Sequence, residues 1–411
     1  MSTVPKSIRI RMYNVGFGDC FLLTFRYASG DRHVLIDYGS NARGAGLALD
    51  DLGPRIAADC GGKLMAIVLS HRHRDHIRGF DPTVGGGAIK PLAPEMVLRP
   101  WTEAPDAAEP GAHGPAIAPE SLRRSQFVRA LDAGQDAAER LATVGAGDGT
   151  GSRLRAAVTG LAALELKNAA AVHLLHELSE GNRGTYLSAG MPLDVEPILP
   201  GVRISVLGPP LPDQWPAITK ERSDDPEYWL RLASTLPDAL GTADLAADLP
   251  PGPEAWLAAR LQAEGLHSAM RIVLSLDAAM NNTSLILLIE AAGRRLLFPG
   301  DAQIENWSYT LSGPGATPAI LDALAKIDVY KVGHHGSRNA TPKKSLLPLW
   351  TSLAAGTPIS MMSTLLGPYD DSNPVPSQPL VNALSVSPTA LIRSDQIPGG
   401  KPFADLDIPG R

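Results

Sequence analysis

The sequence predicts an α/β protein in which short strands gather a metal site and helical stretches are inserted between them. Three observations predict it. Short apolar runs rich in branched side chains recur from residue 8 onward. Four of these runs lead into aspartates or histidines, at Asp37, at His71–His76 and, near the end of the series, at Asp301 and His334-His335. Between them lie stretches dominated by Ala, Leu, Arg and Glu at helical spacing. A sheet whose strand ends carry the chemistry is the usual way an α/β scaffold assembles one site from distant sequence.

The first elements read as strand, tight turn, strand. Ile8–Val15 alternates apolar and polar side chains, Gly16-Phe17-Gly18-Asp19 breaks the run, and Cys20–Phe25 resumes it. Val34–Ser40 is a third strand, ending in Asp37 and Gly39. A carboxylate there is a turn former or a fixed hydrogen-bond partner for a neighbouring loop, and the loop that follows argues for the second.

That loop is Ser70-His71-Arg72-His73-Arg74-Asp75-His76, directly after the apolar run Leu64–Leu69, which is too short for a helix. A solvated loop accounts for a lone histidine. Three imidazoles and a carboxylate packed this closely are costly without a cation, and they are the common nitrogen and oxygen donors to zinc-like ions. His71 and His73, two apart in extended chain, point the same way; Asp75 and His76 lie past the turn and address a second ion.

Glu95–Leu98 reads as the next strand, and Trp101–Gly114 as a Pro/Gly/Ala-rich loop. Pro119 to about Val144, and Ser152 to about Glu180, read as two inserted helices. His173 and His176 share a face of the second, where packing or exposure explains them better than ligation. Val202–Pro209 is a strand running into a proline bend, and Asp225–Gly265 is helical with a Pro-Pro-Gly-Pro interruption. Ser284–Glu290 and Arg295–Phe298 form a hairpin whose second arm ends on Pro299-Gly300-Asp301. Leu321–Lys326 is a short helix, and Ile327–Val332 is a strand ending in Gly333-His334-His335-Gly336-Ser337. The whole is read as one elaborated domain, 1–411, with helical insertions over 102–200 and 210–270 near the site.

At 411 residues, 44% hydrophobic and 19% charged, the chain has a globular composition, with Gly 40 and Pro 36 implying many turns. A net charge of -6 excludes a general nucleic-acid-coating protein but allows a local basic patch. Cys20 and Cys60 are too few and too unpatterned for a disulfide framework or thiolate zinc site. Without an apolar signal segment or a long apolar run, the sequence reads as a soluble cytoplasmic protein.

Taken together, Val15-Gly16-Phe17-Gly18-Asp19, Leu35-Ile36-Asp37, His71-Arg72-His73-Arg74-Asp75-His76, Asn282-Thr283-Ser284-Leu285, Phe298-Pro299-Gly300-Asp301-Ala302 and Val332-Gly333-His334-His335-Gly336-Ser337 occur in one order. That order resembles the ComEC-related branch of the metallo-β-lactamase superfamily, over residues 8–100 and 200–395. The resemblance implies an αββα sandwich, two mixed sheets face to face with helices outside and the site at one edge. It implies two divalent ions, zinc or manganese, with His71 and His73 on one, Asp75, His76 and His335 on the other, and Asp301 bridging. Asp75, Asp301 and His334 are the implied catalytic groups, His334 facing the substrate's developing charge. Asp19 and Asp37 are implied to support the ligand loops. Arg72, Arg74 and Arg338, with Arg78, suit phosphate recognition.

Three departures accompany the resemblance. No histidine is assigned as the third ligand of the first metal, His113, His173, His176 and His267 being the unplaced candidates; if none reaches, only one ion is held tightly. Phe17 stands where the branch commonly has Gln, and Asp371-Ser372-Asn373-Pro374 holds no histidine where the branch often has one. The expected activity is hydrolysis by metal-activated hydroxide of a phosphodiester, in DNA, RNA or another compound. The alternatives are a hydrolase of lactone, thioester or amide bonds, and a metal-depleted binding or regulatory module. The helical insertions are the candidate surface for a protein partner, and nothing in the sequence sets the oligomeric state.

Overall fold

The computed structural model describes residues 4–42, 44, 46–109, 119–144, 167–219, 273–274, 276–351, 358–367, 374–386, 391–398 and 401–411. His113, His267, the helical stretches expected over 152–166 and 225–265, and Asp371–Asn373 lie outside them.

The first sheet contains β1 (Ser7–Tyr13), β2 (Cys20–Tyr27), β3 (Gly30–Tyr38), β4 (Ala66–Val68), β5 (Met96–Pro100) and β6 (Gly184–Leu187). The second contains β7 (Arg203–Gly208), β8 (Ile286–Ala291), β9 (Arg294–Phe298), β10 (Val329–Lys331), β11 (Ile359–Met362) and β12 (Leu391–Arg393). The last strand, β13 (Phe403–Pro409), returns to the first sheet and pairs antiparallel with β1, so the strand orders are β13-β1-β2-β3-β4-β5-β6 and β12-β11-β10-β9-β8-β7. Arg9 and Arg11 hold Asp407 and Asp405 across that last pairing.

The two sheets repeat one plan. In each, three antiparallel strands lead into parallel ones, β1-β2-β3 into β4 and β7-β8-β9 into β10. Thus β3 corresponds to β9, which end in Asp37 and Asp301, and β4 corresponds to β10, which end in the two histidine loops. Ile10, Phe21, Leu23, Val34, Leu287, Leu296 and Phe298 fill the space between the sheets. Placing the sheets face to face brings all four ends to one edge of the sandwich.

Helices cover both outer faces. On the first sheet α1 (Leu49–Asp59) buries Leu52 and Ile56, and α2 (Arg74–Ile77) is the short turn after the histidines. The inserted α3 (Pro119–Val144) has the expected bounds. Next, α4 (Ala169–Ser179) packs Leu174, Leu175 and Leu178 beside α1. On the second sheet α5 (Ile304–Leu311), α6 (Pro318–Ala325), α7 (Leu347–Thr351) and α8 (Gln378–Leu384) bury Trp307, Leu324, Trp350 and Leu380.

The stretch expected to be one insertion, 102–200, therefore divides. Both α4 and β6 are layers of the sandwich itself, while α3 is the added piece. It packs Leu131 and Ala138 against Val273, Leu276 and Met280, beside the site.

Candidate metal centre

Three of the four strands that deliver functional side chains end on or run into left-handed residues. Asp37 closes β3 at φ 55°, Gly300 follows β9 at φ 54°, and His334 and His335 follow β10 at φ 45° and 53°. For a residue with a side chain this conformation costs roughly 1–2 kcal/mol. Three such residues at one edge are strain concentrated where the chain must turn donors inward.

The donors meet there. Asp75, His76, Asp301 and His335 each offer an atom, and these four atoms lie within 4.8 Å of one another. His76 Nε2 is 3.1 Å from Asp301 Oδ2, and His335 Nε2 is 3.3 Å from the same oxygen and 3.1 Å from Asp75 Oδ2. Alongside, His71 Nε2 and His73 Nδ1 approach to 2.9 Å, so the extended stretch does aim both rings at one point.

Further groups hold these donors in place. Asp37 accepts from Ser70 N and Ser70 Oγ, each at 2.7 Å, and its second oxygen lies 2.8 Å from His76 Nδ1, which leaves Nε2 directed inward. His335 Nδ1 lies 3.0 Å from the Ser363 carbonyl, which fixes that ring in the same manner. Asp301 Oδ1 accepts from the His334 backbone N–H at 3.1 Å and from Lys331 Nζ at 3.2 Å, so Oδ2 is the oxygen left to the imidazoles. Asp19 pairs with the other side of Lys331 and lies 3.6 Å from His335 Nδ1. Asp37 thus contacts the loop bearing His71–His76, and Asp19 contacts Lys331 and His335.

Backbone proximity sets the loop as well. A side chain on Gly39 would meet the Asp75 and His76 backbone at 2.4 Å. Gly39→Ala is expected to cost about 1–3 kcal/mol and displace the turn bearing Asp75 and His76. Denaturant midpoints of the two proteins check this, and an unchanged midpoint would contradict the contact.

Electrostatics favours cations here. Asp19, Asp37, Asp75 and Asp301 are buried against one buried ammonium, Lys331. Burial works against ionised Asp301, yet His76, Lys331 and His335 hold it well below the ordinary range. Burial likewise opposes ionised Asp75, which the His335 hydrogen bond and the nearby His76 bring to about 2. Burial depresses His334 to about 4, more than Asp301 raises it, so its ring is neutral at pH 7. His71 is driven well down, first by burial and then by the imidazoles of His76 and His73. His334 Nδ1 is buried without a hydrogen-bond partner among the described residues, while His76 Nε2 and Asp19 are held through their ion pairs with Asp301 and Lys331. Against burial, Asp301 and the neighbouring carboxylates raise His76 well above its ordinary value and His335 to about 10, so these two rings carry positive charge that the carboxylates draw, a charge that divalent ions would supply in its place.

Residues 13–152 match the family model of the metallo-beta-lactamase superfamily. No curated protein matches the chain. With its two mixed sheets and outer helices, the architecture is that of the metallo-beta-lactamase sandwich. The match includes His71–His76 and stops short of Asp301 and His335, which the fold carries to the same cluster. The family match over residues 13–152 and the donor set together point to a metal-dependent hydrolase. Among the described residues no helix is long and apolar enough to cross a membrane.

The remaining expected residues fall elsewhere. Arg72 Nε lies 3.2 Å from Glu103 and its Nη1 donates to Asp132 of α3 at 3.1 Å, so this guanidinium is occupied by carboxylates, unlike the phosphate contact expected of it. Arg74 and Arg78 sit together at α2, where burial and then the Arg78 charge lower Arg74 from its ordinary value. Arg338 is half-buried beyond His335. His173 is 77% exposed beside Glu177, and His176 packs on Arg99, so neither reaches the cluster.

Two residues escaped the sequence reading. Lys331 is a buried charge inside a strand, and a lysine in the run Val-Tyr-Lys-Val was the available signal. Asn281 is fully buried with its Oδ1 3.1 Å from His73 Nδ1. An amide has no titration signature, and nothing local to Asn281-Asn282-Thr283 marks it.

Proposed function

We propose that the protein is a metal-dependent phosphodiesterase, acting on a nucleic acid or a smaller phosphodiester. The observation that carries this reading is the convergence of Asp75, His76, Asp301 and His335, with His71 and His73 beside them. These residues would hold divalent ions, whose chemistry would be to lower the pKa of a water toward neutrality and to offset negative charge on a phosphoryl group.

The chain's own groups supply the rest. Lys331 and the His334 N–H immobilise Asp301 through Oδ1, which orients Oδ2 toward the reacting region. His334, neutral and with Nδ1 unmatched, can donate a hydrogen bond to a developing oxyanion without adding a buried charge. Arg74 and Arg78 add two guanidinium groups at the edge of the same loop, a fit for a phosphate.

One observation favours a second reading. The pairing of Arg72 with Glu103 and Asp132 removes one cation from the substrate side, which suits a less charged lactone, thioester or amide. Incubating the metal-loaded protein with bis-p-nitrophenyl phosphate, single-stranded DNA and an ester panel separates the two. Arg74→Ala with Arg78→Ala is expected to raise KM for the phosphodiester about 100-fold, the loss of two charge-assisted contacts, while Arg72→Ala leaves KM unchanged. Turnover confined to neutral esters would overturn the phosphodiesterase reading in favour of the second.

A further inference from the structure

We infer that Asn281 donates its amide oxygen to the cation held by His71 and His73, making this a nitrogen-and-oxygen site fitted to a hard divalent ion. The inference rests on the metal-centre reading above and names a donor for the ion to which, among the described residues, only His71 and His73 are assigned.

Three atoms converge at this point. His73 Nδ1 lies 2.9 Å from His71 Nε2 and 3.1 Å from Asn281 Oδ1. The orientation of the amide is set from behind, because its Nδ2 donates to Asp277 Oδ2 at 3.3 Å, which turns the oxygen toward the rings. Hydrogen bonding serves the trio poorly: if His71 donates to His73 Nδ1, that nitrogen presents a lone pair to the amide oxygen, and if His73 donates, its single Nδ1 hydrogen has to be shared between His71 Nε2 and Asn281 Oδ1. A cation accepts from both nitrogens and the oxygen at once.

The support of Asn281 is built rather than incidental. Residues 276–281 are helical, and Leu276 and Met280 pack on Leu131 of α3. A side chain on Gly134 of α3 would strike Leu276 at 2.8 Å, so the two helices are in close contact. The next residue, Asn282, is anchored to Glu305 and to the Asn306 backbone. The same α3 holds Arg72 through Asp132, so the inserted helix braces the first cation site from two directions. A donor fixed this way has its geometry before the ion arrives. An amide oxygen in place of a third imidazole shifts preference from zinc toward manganese or magnesium, which favour oxygen.

The full chain is stripped with chelator and titrated with Mn2+ alone and with Zn2+ alone by calorimetry, and the manganese form is read by electron paramagnetic resonance. The wild type is expected to bind two Mn2+ with an exchange-coupled spectrum. Asn281→Leu is expected to weaken one of the two ions by about 100-fold or more, at or above the loss seen for supporting residues, and to give an isolated-ion spectrum. Asn281→Asp, which keeps an oxygen, retains both ions, and Asn281→His shifts the ratio of affinities about 10-fold or more toward Zn2+. Circular dichroism confirms that each variant is folded; if Asn281→Leu is not, the Asp and His variants decide, and equal metal preference in the two overturns the inference. A folded Asn281→Leu protein with two ions at wild-type affinity overturns it while leaving the metal centre intact. A wild type that binds neither metal removes the metal-centre reading itself.

Discussion

Asp301→Ala is expected to lower turnover of the metal-loaded protein at least ~1000-fold, about 4 kcal/mol of transition-state stabilisation. Asp301 Oδ2 is the atom shared by His76 and His335, and Oδ1 is tied to Lys331 and the His334 N–H. One substitution therefore disconnects β9 from both histidine loops. His73→Ala should fall in the same range by removing a donor from the neighbouring position. Steady-state kinetics on the best substrate of the panel, with circular dichroism to confirm folding, measures both. Retained turnover in the two variants would rule out the proposed chemistry.

The second large effect is on stability. Lys331 is 2% exposed, between Asp19 and Asp301, which are each 1% exposed. Burial works to lower its pKa, but the two carboxylates keep it charged and raise it above the ordinary lysine value. Removing one partner from a buried ionic cluster costs roughly 3–5 kcal/mol, because the remaining charges stay desolvated without compensation. Lys331→Met should lose about that much in chelator and distinctly less with Mn2+, where bound cations offset the same carboxylates. Denaturant unfolding in the two buffers makes the comparison. Equal stability of Lys331→Met and wild type in chelator would mean the ammonium is not what balances Asp19 and Asp301.

The parts of the site legible in the sequence were those whose function shows in local spacing. His71–His76 is a single loop, so its spacing alone was enough to expect its donors close together. Asp301 and His335 were legible because each directly follows an apolar strand, and strand ends are where an α/β fold exposes reactive groups. Asn281 was not, since nothing local marks a neutral amide in Asn-Asn-Thr, and its role depends on a contact 208 residues distant.

The fold shows the same division. The bounds of α3 follow from uninterrupted helical spacing between Pro119 and Val144, whereas β6, Gly-Thr-Tyr-Leu, is a half-buried strand with no apolar run to announce it. β13 alternates Phe-Ala-Asp-Leu-Asp-Ile, yet its pairing with β1 is a long-range event fixed by Asp405 and Asp407 meeting Arg11 and Arg9. Arg72 was misplaced for a related reason. Its position in the loop is local information, but the carboxylates that occupy it, Glu103 and Asp132, come from a later loop and from an inserted helix.

Crystals grown with Mn2+ and measured at the manganese absorption edge test the central claim most directly. The account predicts an anomalous peak enclosed by Asp75, His76, Asp301 and His335. Crystals that show manganese only at other positions, with those four side chains still hydrogen-bonded to one another, would contradict it.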